Sequence, residues 1–106
     1  MKKHQSPWAH VDLGAVPHIV TNEVPGPKSR EWHTRCTKYF KGLSGQVKLF
    51  PVAFEKGSGC VLTDADGNRY IDFSSGIYVT TLGHCHPKIS EAVARQAGTL
   101  MNAHDF

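Results

Sequence analysis

The stretch Ser74-Ser-Gly-Ile-Tyr-Val-Thr-Thr-Leu-Gly-His-Cys-His86 is the least ordinary part of the chain. Small residues, a short apolar burst and a glycine followed by two histidines make a poor helix and an indifferent strand. Loops of this kind, held between a strand and a helix, are where binding and catalysis gather. His84-Cys85-His86 offers three metal-capable side chains. In an extended backbone the two histidines share one side and the cysteine faces away. A structural zinc needs four ligands with pairs held on a local scaffold. Cys36, Cys60 and His33 would have to converge from elsewhere, and no Cys-x-x-Cys pair exists. The competing reading has the histidines hydrogen-bonding backbone at a helix start, where the dipole disfavours extra positive charge.

Asp64-x-Asp66-x-Asn68 is like the first half of a calcium loop. Such a loop needs glycine at its sixth place and a bidentate glutamate at its twelfth. Those places hold Arg69 and Ser75, so an ordinary acidic turn is expected. There is no Gly-x-Ser-x-Gly nucleophile elbow, no phosphate loop and no dinucleotide glycine fingerprint. Gly57-Ser58-Gly59 alone reads as a flexible joint.

The elements that must carry the loop follow from local signals. Residues 1–28 hold four of the six prolines (Pro7, Pro17, Pro25, Pro27). Proline fixes φ and removes a donor, so an irregular arm is expected. Val11, Leu13, Val16, Ile19 and Val20 give that arm adhesive surface, toward its own body or toward a partner subunit. Ser29 is a candidate N-cap for a helix to about residue 43. Trp32, Cys36, Tyr39, Phe40 and Leu43 lie on one face, expected to be buried, and Gly42 and Gly45 end the helix. Residues 46–56 read as an extended segment interrupted by Pro51. Cys60–Thr63 and Arg69–Phe73 are two short strands around a loop of about five residues, with Gly67 supplying positive φ. Pro87 suits the first position of an amphipathic helix. Its stripe of Ile89, Ala92, Val93, Gln96, Ala97, Leu100 and Met101 reads as core, with no capping glycine before the sequence stops.

The 106 residues permit one domain at most. A net charge of +3, with bases and acids interleaved, gives no nucleic-acid footprint. The absence of an apolar run of about 18 residues gives no membrane span. Cys36, Cys60 and Cys85 are odd in number and widely spaced, which fits free thiols in a reducing compartment and hence the cytoplasm. Physics alone reaches an α+β chain with one unusual glycine-histidine loop.

One comparison goes further. Four elements stand in fixed order: the turn Asp64-Ala-Asp66-Gly67, the strand Tyr70-Ile-Asp72-Phe73, then Gly76-Ile77-Tyr78-Val79, then Gly83-His84-Cys85-His86-Pro87. Ile89, Ala92, Val93 and Gln96 follow on a helix. This order resembles the N-terminal region of class III (ω-amino-acid) aminotransferases, pyridoxal-phosphate (PLP) enzymes of fold type I. Pro25–Ser29 and Phe50-Pro51-Val52 also sit where such enzymes often carry these residues, so the likeness covers about residues 25–106.

The resemblance implies an incomplete fold type I segment: an irregular arm (1–28), then the N-terminal part of the small domain (29–106), with the large PLP-binding domain absent. The Schiff-base lysine and the aspartate of the pyridinium nitrogen lie downstream in such enzymes, so no catalytic residue is assigned and the chain alone is expected to be inactive. The role of a substrate-facing residue passes to Ile77. Val47 stands where some relatives place a substrate-contacting tyrosine. Tyr78 offers a hydroxyl to the substrate or faces the dimer partner. Gly76, Gly83 and His84 shape the loop. The implied reaction is ping-pong transfer of an amino group from an amino acid or ω-amine to a 2-oxo acid, by a homodimer. Ornithine δ-transamination is disfavoured, because Ile77 replaces a tyrosine found in relatives with that activity. A decarboxylase or aminomutase variant, a stand-alone interaction module and a small metal-binding protein remain as alternatives.

Overall fold

A computed structural model describes residues 14–39 and 49–102. Its order is α1 (Pro27–Tyr39), β1 (Phe54–Ser58), β2 (Val61–Asp64), β3 (Arg69–Ile71), α2 (Ser75–Tyr78, one turn) and α3 (Pro87–Ala97). The three strands form one antiparallel sheet in the order β1-β2-β3. Val61 faces Ser58 on one side and Ile71 on the other, and a bulge between Phe54 and Lys56 shifts the β1 register. The α+β architecture expected from the sequence is present.

Two segments outside the strands extend the sheet. The arm meets β3 through an antiparallel bridge, with His18 N donating to Arg69 O (3.0 Å) and Arg69 N donating to His18 O (2.7 Å). The described part of the arm therefore packs on its own body. Gly59 forms the second bridge, exchanging both backbone hydrogen bonds with His84 (3.0 and 2.8 Å). Gly57-Ser58-Gly59 is thus no flexible joint: Gly57 and Ser58 are strand residues and Gly59 is buried.

The interior is a polar knot. Val61, at 4% exposure, is the one buried large apolar side chain among the described residues, beside fully buried Ser29, Asp64 and Asn68. Asp64 Oδ1 accepts from the amides of Asp66 (3.0 Å) and Asn68 (2.8 Å), while Oδ2 accepts from Asn68 Nδ2 and the Tyr70 hydroxyl (both 2.8 Å). Buried polar groups must find partners, and here they find one another. Burial, the hydrogen bond to Asp64 and its charge push the Tyr70 phenol up to about 12. Asn68 Oδ1 accepts from Val20 N (2.8 Å), Thr21 N (3.0 Å) and the Thr21 hydroxyl (3.1 Å), fastening the arm. Phe50, Phe54 and Tyr70 pack their rings at centroid distances of 5.6 to 6.5 Å.

Several expectations need correction. Ser29 is not the N-cap of α1. It lies inside the helix, which starts at Pro27, and its hydroxyl accepts from Ala53 N at 3.3 Å. The expected buried face of α1 stands largely in solvent, with Trp32 and Tyr39 exposed and Cys36 half-buried. Phe40, Leu43, Gly42 and Gly45 lie outside the described residues. The stripe on α3 is also uncovered at Ile89, Val93, Leu100 and Met101, and the helix ends at Ala97 on a capping glycine, Gly98, whose amide bonds to Ala94 O at 3.3 Å. Periodicity identifies an apolar face correctly but says nothing of what covers it. The radius of gyration, 17.2 Å, exceeds the roughly 13 Å expected of a compact chain of this length.

Candidate functional site

β3 ends at Ile71, and the chain then leaves the sheet for fifteen residues before α3 begins. Asp72 controls the exit. Its amide donates to Cys60 O (2.8 Å), which pins it to the hairpin. Its Oδ1 accepts from Ser74 N (2.8 Å), the Ser74 hydroxyl (2.9 Å) and Ser75 N (3.1 Å). Its Oδ2 meets His84 Nε2 at 2.6 Å. Burial alone would raise this carboxyl, but the bonds from His84 and from Ser74 and Ser75 hold it below the ordinary aspartate range.

Between those anchors the backbone does something rare. Ser75 (φ +49°), Gly76 (+58°), Ile77 (+63°) and Tyr78 (+65°) are consecutive left-handed residues, so α2 is a single left-handed turn. Its hydrogen bonds run from Ile77 N and Tyr78 N to Ser74 O, and from Val79 N and Thr80 N to Ser75 O, all between 2.9 and 3.1 Å. Each non-glycine residue in this region costs about 1–2 kcal/mol. Strain of that size persists only where the surroundings over-determine it, commonly at ligand sites. The turn presents Ile77 and Tyr78 outward, 76% and 84% exposed.

The return leg is equally fixed. Gly83 (φ +88°) passes so close to Gly59 that a Cβ would stand 3.0 Å from Gly59 Cα. A Cβ on Gly57 would meet Cβ and Cγ of His84 at 2.9 Å. Two glycines therefore make the bed in which His84 lies. Cys85 is again left-handed (φ +55°), and His86 starts α3, its carbonyl accepting from Ile89 N (3.0 Å) and Ser90 N (2.9 Å). A cleft of about 550 Å³ lies between residues 79–83 and the first half of α3. Val79, Leu82, Ile89 and Val93 give it an apolar lining, and the buried Thr80 hydroxyl has no hydrogen-bond partner there.

Of the residues singled out from sequence, the structure brings Gly76, Ile77, Tyr78, Gly83 and His84 onto this one excursion. Val47 lies outside the described residues. Asp72 was missed, although an aspartate with serines two and three residues further on is an Asx-turn signal. The calcium and zinc readings find no support: Asp64, Asp66 and Asn68 are spent on internal bonds, His84 is paired with Asp72, and among the described residues no three His, Cys, Asp or Glu side chains converge. The described cysteines are all free thiols. No helix among the described residues is long and apolar enough to cross a membrane.

Comparison with known proteins places this fold, and the site it carries, among class III aminotransferases of PLP fold type I. The fold matches the solved acetylornithine aminotransferase of Elizabethkingia anophelis with a TM-score of 0.62 at 31% identity, over 71% of this chain and 18% of that one. The class III aminotransferase pattern matches residues 8–104, and the chain belongs to that family. Among curated relatives, the acetylornithine aminotransferase of Gloeobacter violaceus is 55% identical over 53 residues, 50% of this chain and 13% of the relative. That of Methanocaldococcus jannaschii is 43% identical over 71 residues, 67% of this chain and 17% of the relative. The chain thus aligns with under one-fifth of the length of either of these relatives.

The described residues do not by themselves make a holder for PLP. An aldehyde-binding lysine must be desolvated or placed beside another cation to react near neutral pH. Lys28, Lys38, Lys56 and Lys88 are all exposed. What the described chain presents is an exposed left-handed turn and the scaffold that holds it.

Proposed function

We propose that this chain is the N-terminal segment of a PLP-dependent transaminase, contributing one wall of the amine pocket and part of the small domain, and that it is inactive alone. The observation that carries the reading is the left-handed turn. It exposes Ile77 and Tyr78 from a backbone that costs free energy to hold and serves no packing purpose within the described residues. Ile77 supplies apolar surface for the aliphatic stem of a donor, and Tyr78 supplies a hydroxyl toward the donor or toward a second subunit. Val47 stands, by the family resemblance, where some relatives have a substrate-contacting tyrosine. Gly76, Gly83 and His84 shape its loop.

The names of the curated relatives favour acetylornithine as donor, and the family resemblance implies a 2-oxo acid as acceptor. Ile77 agrees, since an aliphatic side chain neither donates to nor accepts from a polar α-substituent. Activity as a homodimer in the cytoplasm completes the proposal.

The test has two arms. The 106-residue chain incubated with PLP is expected to give no stoichiometric visible band that acetylornithine bleaches, and to transfer no amino group. The polypeptide with its downstream sequence is expected to do both. A transaminating short chain, or a longer one without a cofactor-binding lysine, overturns the reading.

A further inference from the structure

The excursion from residue 73 to residue 83 is held at both ends by a single carboxylate. Oδ1 of Asp72 takes three hydrogen bonds from Ser74 and Ser75, at the entry to the left-handed turn. Oδ2 takes His84 Nε2 at 2.6 Å, on the return leg twelve residues later. Both partners are mounted rigidly. The Asp72 amide is bonded to Cys60 O, and the His84 backbone exchanges two hydrogen bonds with Gly59. The His84 ring lies against Gly57, where no side chain fits without displacing it. Asp72 is 5% exposed and His84 18%, so the pair is largely shielded from competing water.

We propose that Asp72 and His84 are positioning residues: their pair latches the left-handed turn and so sets where Ile77 stands in the pocket. This rests on the reading of Ile77 as pocket wall and assigns the pair a role in donor binding. Neither residue touches the donor. An eleven-residue loop with both ends tied to one point has little freedom, and the strained φ values of residues 75–78 persist because of that tether. Freed of His84, the excursion is held at its entry alone, and the turn relaxes toward right-handed or extended backbone.

The experiment uses the full-length, cofactor-bound polypeptide, with His84→Ala as the broken latch and His84→Gln as the conservative replacement whose amide still reaches Asp72. Amide hydrogen exchange is followed at Ile77, Tyr78, Val79 and Thr80, and at Asp64 and Asn68 in the hairpin as a reference. The proposal expects exchange at the turn to accelerate about tenfold or more in His84→Ala with the hairpin unchanged, and to be largely restored in His84→Gln. It also expects KM for the amine donor to rise about tenfold while kcat and cofactor content stay within about twofold. Unchanged exchange at the turn overturns the latch. Equal acceleration at turn and hairpin also overturns it, because the pair then supports the fold as a whole. A loosened turn with unaltered KM overturns the role in donor binding. Exchange needs no turnover, so a wild-type polypeptide without transaminase activity sinks the pocket reading and leaves the latch itself to be judged on exchange.

Discussion

Asp66 caps a helix that begins thirty-nine residues before it in the chain. Its Oδ1 accepts from Lys28 N at 2.7 Å and its Oδ2 from Ser29 N at 2.8 Å, so the first free amides of α1 are satisfied by a hairpin loop rather than by a local N-cap. A carboxylate is well suited there, since it meets both the orphan donors and the positive end of the helix dipole.

That placement gives a pH dependence. Packing against the helix start removes some hydration and raises the Asp66 carboxyl, but the amides of Ser29 and Lys28 outweigh it and hold the group below its usual value. A depressed folded-state pKa means that the stabilisation is fully present above the unfolded value of about 4 and fades as pH falls through the lower folded value. Asp72 is depressed as well and acts in the same direction. Hydrogen exchange at Lys28 and Ser29 is expected to be flat from pH 7 to about 5, after correction for intrinsic rates, and to accelerate below about 4. Asp66→Asn is expected to abolish most of that acid-side change.

Asn68→Ala removes the acceptor for Val20 N, Thr21 N and the Thr21 hydroxyl, and leaves Asp64 Oδ2 short of one donor. Stranding buried polar groups costs about 1–3 kcal/mol each. The variant is expected to lose about that much stability in denaturant titration. Limited proteolysis is expected to open the arm near residues 18–22, and an arm as resistant as in the wild type would refute its attachment through Asn68.

Gly83→Ala places a methyl 3.0 Å from the Gly59 backbone at a φ of +88°, whereas Gly57→Ala strikes the base of the His84 side chain at 2.9 Å. Both are expected to destabilise, by about 1–3 kcal/mol. Backbone cannot step aside and a side chain can in part, so Gly83→Ala is expected to be the worse of the two by thermal melting. Donor KM is expected to rise in Gly57→Ala, because the displaced ring is the partner of Asp72.

Ile77→Gly separates stability from binding. The left-handed φ of +63° costs isoleucine about 1–2 kcal/mol and glycine almost nothing, so the folded protein is expected to gain roughly 1 kcal/mol after the entropy of the freer unfolded chain. If Ile77 is pocket wall as proposed, the substitution also removes apolar surface from the donor site, and KM is expected to rise severalfold. A variant that is neither more stable nor weaker in donor binding refutes both the strain and the pocket role of Ile77.

The hairpin of β2 and β3 and the helix α3 could be read from residues 60–97 because each rests on local chemistry: β-branched and aromatic runs, an Asp-Gly-Asn turn and a proline at a helix start. The start of α1 could not, since its cap comes from Asp66, far along the chain. Gly57 and Gly59 were misread as a joint for the same reason. Their meaning lies in His84, twenty-five or more residues away, and local spacing carries no trace of that contact. The left-handed turn escaped too, because Ser75, Ile77 and Tyr78 are residues that ordinarily avoid it, and such conflict between local preference and structure is expected where function imposes on a fold.

A hairpin tip is ordinarily the most forgiving address in a protein for added or deleted residues. The tip between β2 and β3 reverses that expectation. The side chains of Asp64, Asp66 and Asn68 hold the strands themselves, the first helix and the arm, so lengthening it by one residue would be felt in three places at once. It behaves as a keystone rather than a connector, and engineering of this segment has far more room at the exposed side of α1 than at that bend.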